Sequence, residues 1–168
     1  MKLNEKTVLV TGGNGFLGKF VLKELELKKT KKILAPTSKE LDLRNNENCK
    51  KIVKNVDVII HLAGNVGGIG KMREKPGDIF YDNIMMGTQL IHQAKEEGVE
   101  KFVGLGTVCS YPKISSMPFL EDSLWEGYPE ETNAAYGLSK KMMLVQADAY
   151  RQQFGLNSTI LFPTNLYG

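Results

Sequence analysis

Two cysteines, two histidines and one tryptophan are all that this 168-residue chain holds of those types. Cys49 and Cys109 offer at most one disulfide and no cluster of metal-ligating thiols. His61 and His92 lie far apart with no ligand spacing around them, so no metal is expected. Long apolar runs are missing too: none approaches the ~18 residues of a membrane span. The start, Met-Lys-Leu-Asn-Glu-Lys, lacks the apolar stretch and cleavage site of a signal peptide. A reducing cytoplasm is the expected compartment. Nor is there an excess of one charge. The 22 basic and 19 acidic residues leave a net +3, with lysines scattered over helical faces, which argues against nucleic acid or a membrane as partner.

What is present is the composition of a globular domain, 42% hydrophobic and 24% charged. One domain over residues 1–168 buries on the order of 70% of its extended surface. Thr7–Thr11 (TVLVT) reads as a strand buried on both faces of a parallel sheet. Gly12, Gly15 and Gly18 follow, and then a helix over Phe16–Leu27 in which Phe16, Leu17, Phe20 and Val21 recur at helical intervals. Glycines in that place let the backbone turn tightly against a pyrophosphate, whose charge the free N–H groups of the helix start attract. The order strand, glycines, helix predicts a dinucleotide site.

Lys32–Ala35 reads as a second strand. No acidic residue follows it before Glu40, whereas Thr37, Ser38 and Lys39 can receive a 2′-phosphate. NADP(H) is therefore favoured and NAD stays open, since the strand end carries no arginine fork. A short helix is expected at Glu47–Asn55 and a third buried strand at Val56–Leu62, with His61 packed rather than catalytic. Ala63 and Gly64 are small enough for a cofactor to cross the strand end. The glycine-rich stretch 65–75 predicts an irregular loop over the substrate entrance, and Pro76–Gly98 a long helix containing Asn83. Lys101–Leu105 is the fourth strand, delivering Thr107 and Cys109 to the same sheet edge. Residues 113–132 read as a polar substrate-side loop, 133–154 as a helix and 157–163 as a last strand. This alternation predicts an α/β Rossmann-type doubly wound parallel sheet in three layers.

Tyr136 and Lys140 fall four residues apart on the last helix. They return to one face, so a phenol and an ammonium can meet at one substrate atom. A Tyr-x-x-x-Lys spacing alone is common by chance; its weight comes from the glycine loop and the strand ends around it.

Taken together, Thr11–Gly18, His61–Ala63, Asn83 and Tyr136-Gly-Leu-Ser-Lys140 resemble the extended short-chain dehydrogenase/reductase family. Asn65–Ile69, Cys109-Ser-Tyr-Pro-Lys113, Pro118 with Glu121, Glu131–Asn133 and Pro163–Gly168 narrow the resemblance to its GDP-L-fucose synthase group. The resemblance implies an NADP(H)-dependent 3,5-epimerase/4-reductase that converts GDP-4-keto-6-deoxymannose to GDP-L-fucose. In that reading Tyr136 protonates the C4 oxygen, Lys140 lowers the phenol's pKa and holds the nicotinamide ribose, Thr107 bonds the same oxygen and Cys109 exchanges protons at C3 and C5. Cofactor contacts are implied at Gly12, Gly15, Phe16, Leu17 and Gly18; at Thr37, Ser38, Lys39, Asp42 and Leu43; at Leu62, Ala63, Gly64 and Leu105; and at Tyr136, Lys140, Pro163, Asn165 and Leu166. It further implies a homodimer through two helices per subunit. Family members continue into a substrate domain that would also supply a histidine partner for Cys109, so residues 1–168 are expected to bind cofactor better than they turn over substrate. An NAD-retaining 4-epimerase and a non-catalytic dinucleotide-binding module are the alternatives.

Overall fold

A computed structural model describes residues 1–167; Gly168, the end of the last motif above, lies outside the described residues. Five strands, β1 (Thr7–Thr11), β2 (Lys32–Leu34), β3 (Val58–His61), β4 (Lys101–Leu105) and β5 (Ser158–Leu161), form one sheet. Its order is β2-β1-β3-β4-β5. Every pairing is parallel, with Val8 opposite Val58 and Phe102 opposite Ser158. The chain leaves β1 for β2 on one side and returns past β1 to β3, so the crossovers reverse between β1 and β3. Such a reversal opens a crevice at the strands' carboxyl ends.

Helices α1 (Phe16–Leu27), α2 (Asn46–Val53), α3 (Ile69–Glu74), α4 (Pro76–Glu96) and α5 (Ala134–Phe154) connect the strands. Strand side chains alternate between faces. Leu9, Ile59 and Phe102 pack with Cys49 and Val53 of α2, Leu90, Ile91 and Ala94 of α4, and Met143 and Ala147 of α5. Val8, Val10 and Val58 face the other way, onto Val21, Leu22 and Leu25 of α1. The result is the expected three-layer Rossmann-type sheet. Burial of each large apolar side chain contributes about 1.5–3 kcal/mol, which makes this two-sided core the main source of stability.

Local signals fix the helix ends. The Asn45 side chain accepts hydrogen bonds from the backbone N–H groups of Glu47 and Asn48, starting α2 one residue before the predicted position. Pro76 occupies the first turn of α4, and Gly98 follows its end at φ +67°. Stretch 65–75 departs from the expected irregular loop. Residues Ile69–Glu74 form α3 because Gly68 supplies an extended N-cap and Met72 anchors the turn in the interior. On α1, Phe16 and Phe20 lie at the surface, edge to face at 5.5 Å, while Leu25 takes the buried position. Among the described residues no helix is long and apolar enough to cross a membrane.

Candidate functional site

A cavity of about 500 Å³ opens at the carboxyl ends of β1, β2 and β3. From β1 come Thr11 to Gly15, from the β2 end Pro36, Thr37 and Ser38, from the next turn Leu41 to Arg44, and from the β3 end Ala63, Gly64 and Asn65; Asp82 and Met86 of α4 close it. Gly12 is held at φ +73°, and a Cβ there would stand 2.7 Å from the Ala63 nitrogen. A side chain is thus excluded both by conformation and by space. No side chain caps α1 at Gly15, so the N–H groups of its first turn are left for a ligand. An uncapped helix start beside a backbone approach that only glycine permits fits a dinucleotide pyrophosphate.

Behind this cradle Thr11 Oγ1 pairs with His61 Nδ1 at 2.7 Å and accepts from the Ala63 N–H at 3.3 Å. His61 is fully buried, and burial followed by the nearby Lys140 charge holds its pKa well below the usual value. It is a neutral packing element that ties β1 to β3.

At the β2 side of the cavity the structure adds a residue absent from the expected site. Arg44, two positions beyond Asp42, lines the cavity, so an arginine reaches the site from the following turn although none stands at the strand end. Its Nε donates to Asp42 Oδ1 at 2.9 Å, its Nη2 to Asp42 Oδ2 at 2.7 Å and its Nη1 to Asp82 Oδ1 at 3.0 Å. These bonds hold the Asp42 carboxyl below its ordinary range. Asn65 Nδ2 donates to the other oxygen of Asp82 at 2.8 Å, and Lys71 Nζ to Asn65 Oδ1 at 2.5 Å. Asn83 completes the link, accepting from the Asn65 N–H at 3.0 Å and donating to its carbonyl at 2.8 Å. The meeting of these residues depends on α4 crossing the β3 loop.

Thr107, Cys109, Tyr136 and Lys140 gather where β4 ends and α5 begins. Thr107 caps the short 3-10 turn Val108–Ser110, its Oγ1 accepting from the Cys109 N–H at 3.2 Å. The hydroxyl proton is left to donate elsewhere. Ser110 Oγ donates to the Gly137 carbonyl at 2.7 Å, and a Cβ on Gly137 would overlap the Cys109 carbonyl. Only glycine lets the first turn of α5 press so closely on the Cys109 loop, and this contact brings Tyr136 beside Cys109. Burial first, then charge on Cys109, pushes the Tyr136 phenol's pKa up. The expectation that Lys140 lowers it is corrected here: the Lys140 ammonium instead donates to the Ala63 carbonyl at 3.3 Å. Lys140 is 3% exposed, and burial lowers its pKa to about 8. A Cβ on Gly64 would stand 3.5 Å from Lys140 Nζ, which puts the ammonium at the cavity's inner edge.

Of the remaining implied cofactor contacts, Gly12, Gly15, Thr37, Ser38, Asp42, Leu43, Ala63 and Gly64 line the cavity. Gly18 lies beneath it against Gly12 and Gly13. Phe16 and Lys39 are exposed, Leu17 borders a shallow groove between α1 and the N-terminus, and Leu62 packs toward α1. Leu105 ends β4, and Pro163, Asn165 and Leu166 follow β5; none of these four lines the cavity.

Known proteins resemble this chain in sequence and fold. The sequence pattern of the NAD dependent epimerase/dehydratase family matches residues 8–168. A GDP-L-fucose synthase of Sinorhizobium fredii is 34% identical over 99% of this chain and 53% of its own length. A GDP-L-fucose synthetase from Naegleria fowleri, solved bound to NADP, superposes with a TM-score of 0.87 at 29% identity, over 98% of this chain and 52% of that one. A GDP-mannoheptose C4 reductase from Campylobacter jejuni, with NADP bound, gives 0.93 at 25% identity over 97% and 52%. The chain spans about half the length of the curated relatives it matches. With the family's pattern running from β1 through β5, the chain belongs to the NAD dependent epimerase/dehydratase family.

Proposed function

We propose that this chain forms the cofactor and proton-transfer half of an NADP(H)-dependent epimerase/reductase acting on a GDP-4-keto-6-deoxy sugar. The observation that carries the reading is the packing of Gly137 on the Cys109 carbonyl, which brings the start of α5, with Tyr136, against the turn that carries Cys109. A plain reductase needs the phenol; the thiol adds a group that can remove and return protons next to a ketone. Names of relatives support the same reading: GDP-L-fucose synthase and GDP-L-colitose synthase among the curated proteins.

In this reading Gly12, Gly15 and the start of α1 hold the pyrophosphate. Asp42 and Leu43 meet the adenosine, and Thr37, Ser38 and Lys39 meet the 2′-phosphate. Bound there, the cofactor supplies hydride to the C4 carbonyl. Tyr136 gives its proton to the carbonyl oxygen. Its raised pKa keeps the phenol protonated at neutral pH, as an acid requires. Thr107 donates its free hydroxyl proton to the same oxygen. Lys140, charged below about pH 8, lies where a ribose hydroxyl would approach. Cys109 removes a proton from one face of a carbon next to the ketone, and the histidine that the family's substrate domain would supply gives a proton back on the opposite face.

The test is the intact protein with NADPH and GDP-4-keto-6-deoxymannose. Loss of NADPH absorbance in step with GDP-fucose formation is the expected result. Tightly held NAD with no net NADPH consumption would replace this reading by an epimerase that recycles its hydride.

A further inference from the structure

Helix α5 buries two neighbouring lysines that turn in different directions. Lys140 points to the cavity. Lys141, 4% exposed, points away from it, where its ammonium donates to the Leu124 carbonyl and stands 4.3 Å from the centre of the Trp125 ring. Neither partner is an anion. Burial lowers the affinity of Lys141 for its proton. An apolar side chain at this position would avoid that cost, so what the ammonium achieves must lie in the contacts it makes.

Those contacts fall on one short element. Leu124 and Trp125 belong to the 3-10 turn Asp122–Trp125, halfway along the 113–132 loop. One end of that loop leaves the turn carrying Cys109, and the other enters α5 just before Tyr136. Its other polar contacts are local: Lys113 Nζ on Glu131 at 2.8 Å, the Lys113 N–H on the Tyr128 carbonyl at 2.9 Å and Ser123 Oγ on the Leu120 carbonyl at 2.8 Å, with Ser115 Oγ on the Pro112 carbonyl and Asn133 Nδ2 on Glu130 at its two ends. The bond from Lys141 instead reaches across to the helix body, one residue beyond Lys140.

We propose that Lys141 is a positioning residue: its ammonium pins the Asp122–Trp125 turn to α5 and so holds the 113–132 loop as a fixed wall beside Tyr136 and Cys109, where the sugar is received. The role as a wall rests on the reading that α5 carries the reacting pair; the pinning does not. A charge-assisted hydrogen bond and a cation–π contact together shift the balance between pinned and free loop by roughly tenfold or more.

Trp125 is the chain's only tryptophan and reports on the turn directly. Time-resolved anisotropy of its fluorescence is compared in the wild type, Lys141→Met and Lys141→Arg, without cofactor. Lys141→Met keeps most of the stem and removes the donor and the charge, so fast depolarisation should increase; Lys141→Arg keeps both and should restore wild-type behaviour. In the intact protein Lys141→Met should raise the KM for the keto sugar roughly threefold to tenfold, with kcat and NADPH affinity within about twofold. Unchanged anisotropy in Lys141→Met, or a freed turn with an unchanged KM, overturns the proposal. If Lys141→Met does not fold, Trp125→Leu removes the aromatic partner and must raise the KM in the same way. Absence of sugar turnover by the wild type would defeat the functional reading while leaving the anisotropy comparison to decide the pinning.

Discussion

Replacing Lys140 by methionine keeps most of the side chain's volume and deletes the charge that burial makes expensive. The folded chain holds this ammonium's pKa near 8, against 10.5 for an exposed lysine. A displacement of that size corresponds to about 3 kcal/mol. The sign follows from the lowered value. Below pH 8 the group is charged in both folded and unfolded chains, and the folded state bears the full cost. Between about 8 and 10.5 the folded state sheds its proton first, so stability from this group rises with pH. Above 10.5 the cost is gone. Lys140→Met also leaves the Ala63 carbonyl without its partner, a loss of about 1 kcal/mol. The variant should therefore be about 2 kcal/mol more stable than the wild type at pH 7, a shift of roughly 1 M in the urea midpoint. Urea unfolding followed by circular dichroism at pH 7, 8, 9 and 10 measures the gap, and taking the difference removes the titration of other groups. It should shrink steadily above pH 8. A less stable variant at pH 7, or a gap that ignores pH, would refute the burial argument.

Three further outcomes follow from the site. Tyr136→Phe should lower reduction by roughly 10²–10⁴-fold while NADPH affinity, measured by calorimetry, stays within about threefold; a collapse of affinity would make Tyr136 a packing residue. Cys109→Ser should slow solvent-proton exchange at the sugar far more than reduction of a keto sugar already in the product configuration, and equal losses would reduce Cys109 to a packing residue. Gly12→Ala must place a Cβ 2.7 Å from the Ala63 nitrogen at φ +73°. It should cost about 1–3 kcal/mol of stability and weaken NADPH binding by roughly tenfold or more, and unaltered binding would separate the cradle from the cofactor.

What could be read from the sequence was local or strongly periodic. Val8, Leu9 and Val10 announce a doubly covered strand because all three are apolar, and the glycines after it have a stereochemical reason that needs no neighbours. Tyr136 and Lys140 are legible because helical spacing puts them on one face. Features made by distant segments escaped. Arg44 entered the site only through carboxylates on either side of it, one of them 38 residues away. The helix at Ile69–Glu74 was hidden by glycine content, since the anchor that stabilises it, Met72, counts only once the core exists. Phe16 and Phe20 fit a helical pattern yet lie outside, because the inward stripe of α1 runs through Val21, Leu22 and Leu25. The upward displacement of the Tyr136 pKa was likewise invisible, as it depends on burial and on a thiol brought in by the β4 loop.

One measurement bears on the central claim most directly: following where isotopes go when the intact protein converts GDP-4-keto-6-deoxymannose with NADPH deuterated at the nicotinamide C4. Product NMR should show the cofactor's deuterium at sugar C4. The reaction repeated in D₂O with ordinary NADPH should place solvent deuterium at C3 and C5, and this solvent label should fall sharply in Cys109→Ser. A product that carries no cofactor deuterium at C4, formed with the nicotinamide cofactor neither consumed nor released, would contradict the account.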